Sequence, residues 1–192
     1  MTSTELKLLV KILPSLHKHL KKNPQSLLSR IYGVYSVAMQ DYEEVHLILM
    51  GNTLRFDDSQ DITRIYDLKG STFSRCVKGF TKHTSTLKDE NFVSNQHHVQ
   101  EIKMSQFDIT RVNQAIKKDT EFLASKNIMD YSILLGIESK IVINTEIGEF
   151  TACARGHSRS VRETAELERF KRHRFTSPDG LWTYHVSVID FL

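Results

Sequence analysis

The sequence is poor in the residues that would give it a special architecture. Among 192 residues it holds two cysteines, Cys76 and Cys153, far apart and in no metal-ligand spacing. That argues against a disulfide scaffold or a zinc module, and a reducing, cytosolic compartment is expected. Three prolines and eight glycines leave no linker-like or collagen-like tract. No glycine precedes Gly33, so the chain opens without a glycine-rich turn. No apolar run approaches the roughly 20 residues that span a bilayer. The start, Met1-Thr2-Ser3-Thr4-Glu5, is not the basic-then-apolar start of a signal peptide. What remains is ordinary for a globular chain, 40% hydrophobic and 26% charged, and long enough for one domain with a substantial core.

The net charge of +3 is unevenly spread. Residues 1–30 carry six Lys/Arg against Glu5 alone, and residues 155–174 carry seven against three Glu. The remainder is mildly acidic. Two basic segments on such a body suit an anionic partner, either lipid headgroups or nucleic acid. A solvated helix face and a disordered loop would produce the same pattern.

Periodicity outlines an α+β chain. Thr2 and Glu5 are spaced as a capping box. Leu6, Leu9, Val10, Leu13, Leu16 and Leu20 then follow at helical spacing. Pro14 lacks an amide hydrogen, so one helix is predicted to end near Leu13 and another to begin at Pro14. Ser29 to Met39 and Val45 to Met50 read as strands joined through a polar hairpin connection at residues 40–44. A third strand includes Ile62, Ile65, Tyr66 and Leu68, and residues 76–103 read as loop with short elements. Ser105 and Asp108 signal a helix running to about Lys126, with Phe107, Val112, Ala115, Ile116, Asp119, Phe122 and Leu123 on one face. A strand pair is predicted next, Tyr131 to Glu138 with Ile141 to about Cys153. Residues 154–180 read as a mobile basic loop, and Trp182 to Leu192 as the last strand.

Three segments set a charge in or beside an apolar, strand-like run: Tyr66-Asp67-Leu68-Lys69-Gly70-Ser71-Thr72, Ile128-Met129-Asp130-Tyr131-Ser132-Ile133-Leu134-Leu135-Gly136, and the terminal Val188-Ile189-Asp190-Phe191-Leu192. A buried charge without a partner costs several kcal/mol, so such residues persist with a partner, a metal or a task. One Lys and two Asp are the minimum kit for a polyphosphate and its magnesium. Blander readings exist for each: a turn in which Asp67 pairs with Lys69 and Gly70 supplies positive φ, a helix-to-strand cap at Asp130, and a strand that happens to end in Asp190.

In order and spacing, the first two segments resemble the motifs of the phosphatidylinositol phosphate kinases. Lys11-Ile12-Leu13-Pro14, Arg30-Ile31-Tyr32-Gly33-Val34-Tyr35, Leu49-Met50-Gly51-Asn52 and Leu87-Lys88-Asp89-Glu90-Asn91-Phe92 resemble further family segments, so the likeness extends over nearly all of the chain except 141–180. It implies a partial protein-kinase-like, two-lobed α+β fold, an antiparallel sheet with N-terminal helices and an interlobe helix. It also implies transfer of the γ-phosphate of ATP, with Mg2+, to an inositol ring hydroxyl of phosphatidylinositol monophosphate. By position, Met50, Asn52 and Leu54 match the hinge that holds adenine, and Leu134 and Ile189 its apolar floor. Lys69 matches the motif lysine that meets phosphate, Asp130 the catalytic-loop aspartate and Asp190 the magnesium aspartate, although Leu192 stands where protein kinases have the glycine of Asp-Phe-Gly.

The expected setting is the cytoplasmic face of an anionic membrane, most naturally the plasma membrane, with the 155–174 segment helping to dock it and no nucleic-acid module in view. A dimer or partner kinase through the N-terminal region is a further expectation. The family's glycine-rich loop, its strand lysine and its substrate-selecting segment have no counterpart in the sequence. Residues 1–192 are therefore expected to be part of a larger catalytic domain. The competing expectations are an inactive module that binds membrane or a partner kinase, and a complete enzyme with an unorthodox nucleotide site. An exposed edge on the N-terminal sheet is expected as well.

Overall fold

A computed structural model of the chain describes residues 1–54, 62–79, 85–95, 102–139, 141–143, 150–152 and 173–191. Its first element is a single helix, α1 (Ser3–Lys22), closed at its start by the reciprocal Thr2–Glu5 capping box. The break predicted at Pro14 does not occur, and one N-terminal helix stands where two were expected. Pro14 lies on the exposed side of α1, as does Val10, whose carbonyl loses its usual helical donor at Pro14. The buried side, Leu9, Ile12 and Leu16, runs past it without interruption, which offsets the cost of the proline. Val10 and Leu13, assigned to the apolar stripe by spacing, are instead exposed.

Strands β1 (Ile31–Val37) and β2 (Val45–Met50) form the predicted antiparallel hairpin, a two-stranded sheet of its own. Its inner face packs toward α1. His46, buried on that face, lies 3.2 Å from Ser3 Oγ and 2.8 Å from Ser36 Oγ, and its carbonyl accepts the Met1 amine at 2.9 Å.

The main sheet has the order β4-β3-β5-β9-β8. It contains β3 (Ile62–Leu68), β4 (Thr86–Leu87), β5 (Ser132–Ser139), β8 (Arg174–Thr176) and β9 (Trp182–Ile189). All pairs are antiparallel except β3 with β4, which is parallel. Helices α2 (Asp89–Asn95) and α3 (Gln106–Ser125) connect β4 to β5. Of the face predicted for α3, Ala115, Asp119 and Leu123 are buried, while Phe107 at its first turn is exposed.

Two predictions after β5 are corrected. Ile141 to Cys153 is not one strand pairing with β5, because β3 and β9 occupy both edges of β5. The segment instead contains β6 (Ile141–Ile143) and β7 (Phe150–Ala152), which pair with each other. The loop predicted over 154–180 is ordered at its end. There His173 and Phe175 are buried and β8 pairs with β9, because Phe175 offers an apolar side chain to the core. The rest of the basic segment lies outside the described residues.

In an antiparallel sheet, residues paired across the ladder share a face. Tyr66, Leu135 and Val186 therefore face one way, with Val188, Ile137 and Tyr184, all buried in the core that also holds Leu123 of α3 and Leu9, Ile12 and Leu16 of α1. Asp119 on α3 ties this core together. Its carboxylate lies 2.7 Å from His19 Nε2 on α1 and accepts the Leu27 amide at 2.7 Å. The Leu27 carbonyl in turn accepts from the Val188 amide of β9.

Candidate active site

The register of the main sheet brings the three sequence-predicted charges to one end of it. Leu68 pairs with Ile133 and Ser132 with Ile189. Lys69 follows the last residue of β3, Asp130 precedes β5 by two residues, and Asp190 follows the last residue of β9. Strand direction explains the gathering: β3 and β9 run antiparallel to β5, so their carboxyl ends meet its amino end.

The contacts at this edge differ from the first of the blander readings. Lys69 Nζ donates to Asp130 Oδ1 at 2.8 Å, whereas Asp67 has Arg75 as its ionic neighbour, with Arg75 Nη2 3.2 Å from Asp67 Oδ1. The turn in which Asp67 would pair with Lys69 is absent, though Gly70 does take a positive φ of 72°. The hydrogen bond and charge of Lys69 hold the Asp130 carboxyl below the ordinary carboxylate range. Asp130 itself is open to solvent, its side chain 84% exposed, while that of Lys69 is 25% exposed. Asp190 is also exposed, with Ser132 Oγ donating to one carboxylate oxygen at 3.3 Å.

Both aspartates sit in the left-handed backbone region, Asp130 at φ 67° and Asp190 at φ 57°. Aspartate enters this region more readily than most L-residues, and Asp41, Ser74 and Asn127 occupy it as well.

The predicted hinge and floor residues lie beside one another. Met50 ends β2, Asn52 Oδ1 accepts the Leu54 amide at 3.0 Å, and Gly51 donates to the Arg30 carbonyl at 2.7 Å. Ser187 Oγ on β9 donates to Thr53 Oγ1 at 2.8 Å, fastening this segment to the main sheet. Leu134 pairs with Ser187 and Ile189 with Ser132, so Leu134 and Ile189 share the sheet face on which Thr53 is anchored. Both are partly exposed, as an apolar surface under a planar ligand would be.

Among the described residues no group of three or more His, Cys, Asp or Glu side chains could enclose a metal ion. Magnesium is compatible with that, because it commonly takes one or two carboxylates and completes its shell with phosphate oxygens and water. Asp190, exposed and oriented by Ser132, suits that role.

A family model described as phosphatidylinositol-4-phosphate 5-kinase matches residues 1–192. The chain belongs to this kinase family. Among curated relatives, it is 35% identical over 147 residues to a phosphatidylinositol 4-phosphate 5-kinase of Plasmodium falciparum, covering 71% of this chain and 8% of the relative. It is 37% identical over 141 residues to phosphatidylinositol 4-phosphate 5-kinase 1 of Arabidopsis thaliana, covering 70% and 17%. With the human phosphatidylinositol 4-phosphate 5-kinase type-1 beta the identity is 35% over 138 residues, covering 69% and 24%. The matched region thus spans a quarter or less of these relatives.

For this family member, sequence reasoning missed the residues that support the site. Asp89 accepts from the backbone amides of Lys69 and Gly70 and from Arg75 Nε. Ser132 and the Thr53–Ser187 pair were passed over as well. Asp89 lies in a segment that carried part of the family likeness, but an Asp opening a short helix looks like an ordinary cap. Nothing in one sequence distinguishes it.

Proposed function

We propose that this chain carries the phosphotransfer centre of a phosphatidylinositol phosphate kinase, moving the γ-phosphoryl group of ATP to a ring hydroxyl of a phosphatidylinositol monophosphate. The observation that carries this reading is the convergence of Lys69, Asp130 and Asp190 at one end of the β3-β5-β9 ladder, beside a hinge anchored over an apolar face.

Phosphoryl transfer asks a protein mainly for positioning and for charge on the phosphates. Lys69 supplies a single cation on a turn, able to leave Asp130 for a phosphate oxygen. Asp190 offers a carboxylate for Mg2+, which when bound would neutralise charge on the phosphates. Leu134 and Ile189, with Met50, Asn52 and Leu54 across from them, form the seat for adenine. Asp130, held below the ordinary carboxylate range by Lys69, is ionised at neutral pH and a weak base. Its role is to accept a hydrogen bond from the attacking hydroxyl and orient it. The basic α1 and the 155–174 segment would draw the protein to the cytoplasmic face of an anionic membrane, where its substrate resides. No helix among the described residues is long and apolar enough to cross a membrane.

The test is transfer of label from γ-labelled ATP to lipid, with Mg2+ and vesicles containing phosphatidylinositol 4-phosphate. It is run on the chain itself and on a chimera carrying it between the flanking segments of a relative. Transfer is expected from at least the chimera. Lys69→Met, Asp130→Asn and Asp190→Asn should each lower it by about a hundredfold or more, the scale for losing one group that stabilises a charged transition state. Asp190→Asn should leave vesicle binding intact. A folded chimera without transfer would sink the enzyme reading. It would favour a binding module acting through a partner kinase, a role for which the exposed apolar face of the β1-β2 hairpin is the supporting feature.

A further inference from the structure

We propose that Asp89 is a positioning residue: through the amides of Lys69 and Gly70 and the guanidinium of Arg75, it aims the Lys69 ammonium at Asp130. For its catalytic consequence the proposal rests on the phosphotransfer reading; for the placement of Lys69 it stands on geometry alone.

Lys69 is the first residue beyond β3, and Gly70 after it has a positive φ with open space where a Cβ would be. Such a turn has little of its own to hold it, because glycine gives the backbone freedom on both sides of φ zero. What restrains it comes from 19 and 20 residues further along the chain. Asp89 Oδ1 accepts the Lys69 amide at 3.1 Å and the Gly70 amide at 2.8 Å. The second oxygen accepts Arg75 Nε at 2.8 Å.

Arg75 closes the circle by donating through Nη2 to the carbonyl of Asp67, two residues before Lys69. The stretch 67–70 is thereby held from before and behind by one carboxylate and one guanidinium. Both side chains are largely buried, Asp89 at 9% and Arg75 at 12% exposure, so water competes poorly for these bonds.

The surrounding segment reinforces the clamp. The Glu90 amide donates to the Arg75 carbonyl at 2.9 Å. Asn91 accepts the Val77 amide at 2.9 Å and returns a bond to the Val77 carbonyl at 3.0 Å. The start of α2 therefore staples residues 69–77 into one piece, with Lys69 at its end. A residue that only capped α2 would keep its carboxylate on its own helix. Asp89 also extends it to the turn that carries the motif lysine.

Asp89→Asn keeps the shape but replaces one acceptor oxygen with an amide that faces the Arg75 donor. The experiment follows the Asp130 carboxyl by carbon NMR through an acid titration in the full chain, in wild type, Lys69→Met and Asp89→Asn. Circular dichroism confirms that each is folded. Lys69→Met should return Asp130 to an ordinary aspartate titration, and Asp89→Asn should move it at least half as far. Arg75→Lys, which keeps the charge but loses the two-pronged contact, should move it in the same direction and serves if Asp89→Asn does not fold.

A folded Asp89→Asn or Arg75→Lys protein whose Asp130 titrates as in wild type would overturn the proposal. So would a Lys69→Met protein that leaves Asp130 unmoved, since the pair would then not exist in solution. The readout needs no enzymatic activity. Failure of phosphate transfer with the expected titrations would count against the enzyme reading and leave the positioning role standing. In an active chimera, Asp89→Asn should lower kcat with little change in the KM for ATP.

Discussion

Asp130 and Asp190 lie at the strand ends joined by the Ser132–Ile189 pairing, and both occupy the left-handed backbone region. Adjoining strands thus present two exposed carboxylates, each on a backbone that an L-residue seldom adopts. Glycine would fit either position with less strain, although aspartate enters this region more readily than most L-residues.

Asp130→Gly should therefore leave the urea unfolding midpoint unchanged or raised, because only an exposed ion pair is lost while the backbone relaxes. Phosphate transfer in the chimera should be abolished by the same substitution. A clearly lowered midpoint would make Asp130 a structural residue.

Asp89 couples stability to acid. Burial raises its carboxyl pKa, but the Arg75 guanidinium and the amides of Lys69 and Gly70 outweigh that and hold it below the ordinary value of 3.8. With the folded value below the unfolded one, its contribution is fully present above the unfolded value and is lost as pH falls through the folded one. Wild-type stability should consequently fall more steeply below about pH 4 than that of Asp89→Asn. At neutral pH the variant should be less stable by about 3 kcal/mol, the scale for breaking a buried pair. Parallel pH profiles of chemical denaturation would contradict this.

Pro14 offers the opposite change. It sits inside α1 on the exposed side, with no buried contact to lose. Pro14→Ala restores an amide donor for the Val10 carbonyl and should stabilise the chain by about 2 kcal/mol, somewhat less than the full interior proline penalty. Thermal unfolding measures it. An unchanged midpoint would mean that the helix already accommodates the ring without cost.

The outer face of the β1-β2 hairpin should drive self-association. The pairs Tyr35–Leu47 and Val37–Val45, with Leu49 opposite Gly33, put five apolar side chains on one side, each between 44% and 54% exposed. Contiguous apolar surface of this kind associates in water. Leu47→Lys with Val45→Glu should shift sedimentation toward monomer at concentrations where the wild type self-associates. A monomeric wild type would show that the face is tolerated in isolation.

Local order was legible wherever a few neighbouring residues decide it. The Thr2–Glu5 box, the β1-β2 hairpin, the Ser105 start of α3 and the strand leading to Asp190 all follow from caps, alternation and turns. Pro14 misled because its effect depends on which side of α1 faces water, and that is settled only when Leu9, Ile12 and Leu16 meet the core. Ile141 to Cys153 misled because alternation marks a strand without naming its partner. The edges of β5 were already taken by β3 and β9, from 65 or more residues before and 43 or more after in register pairs such as Asp67–Leu134 and Leu134–Ser187.

The same division holds for the site. Lys69, Asp130 and Asp190 could be selected from the sequence alone, because a charge against an apolar run is costly unless it has a purpose, and two motifs in the right order named the family. Their meeting could not. It depends on β5 lying antiparallel between β3 and β9, so that two carboxyl ends and one amino end share an edge. Asp89 and Arg75 were invisible for the same reason: a carboxylate becomes a clamp only when the chain folds back to place it beneath the amides of another segment.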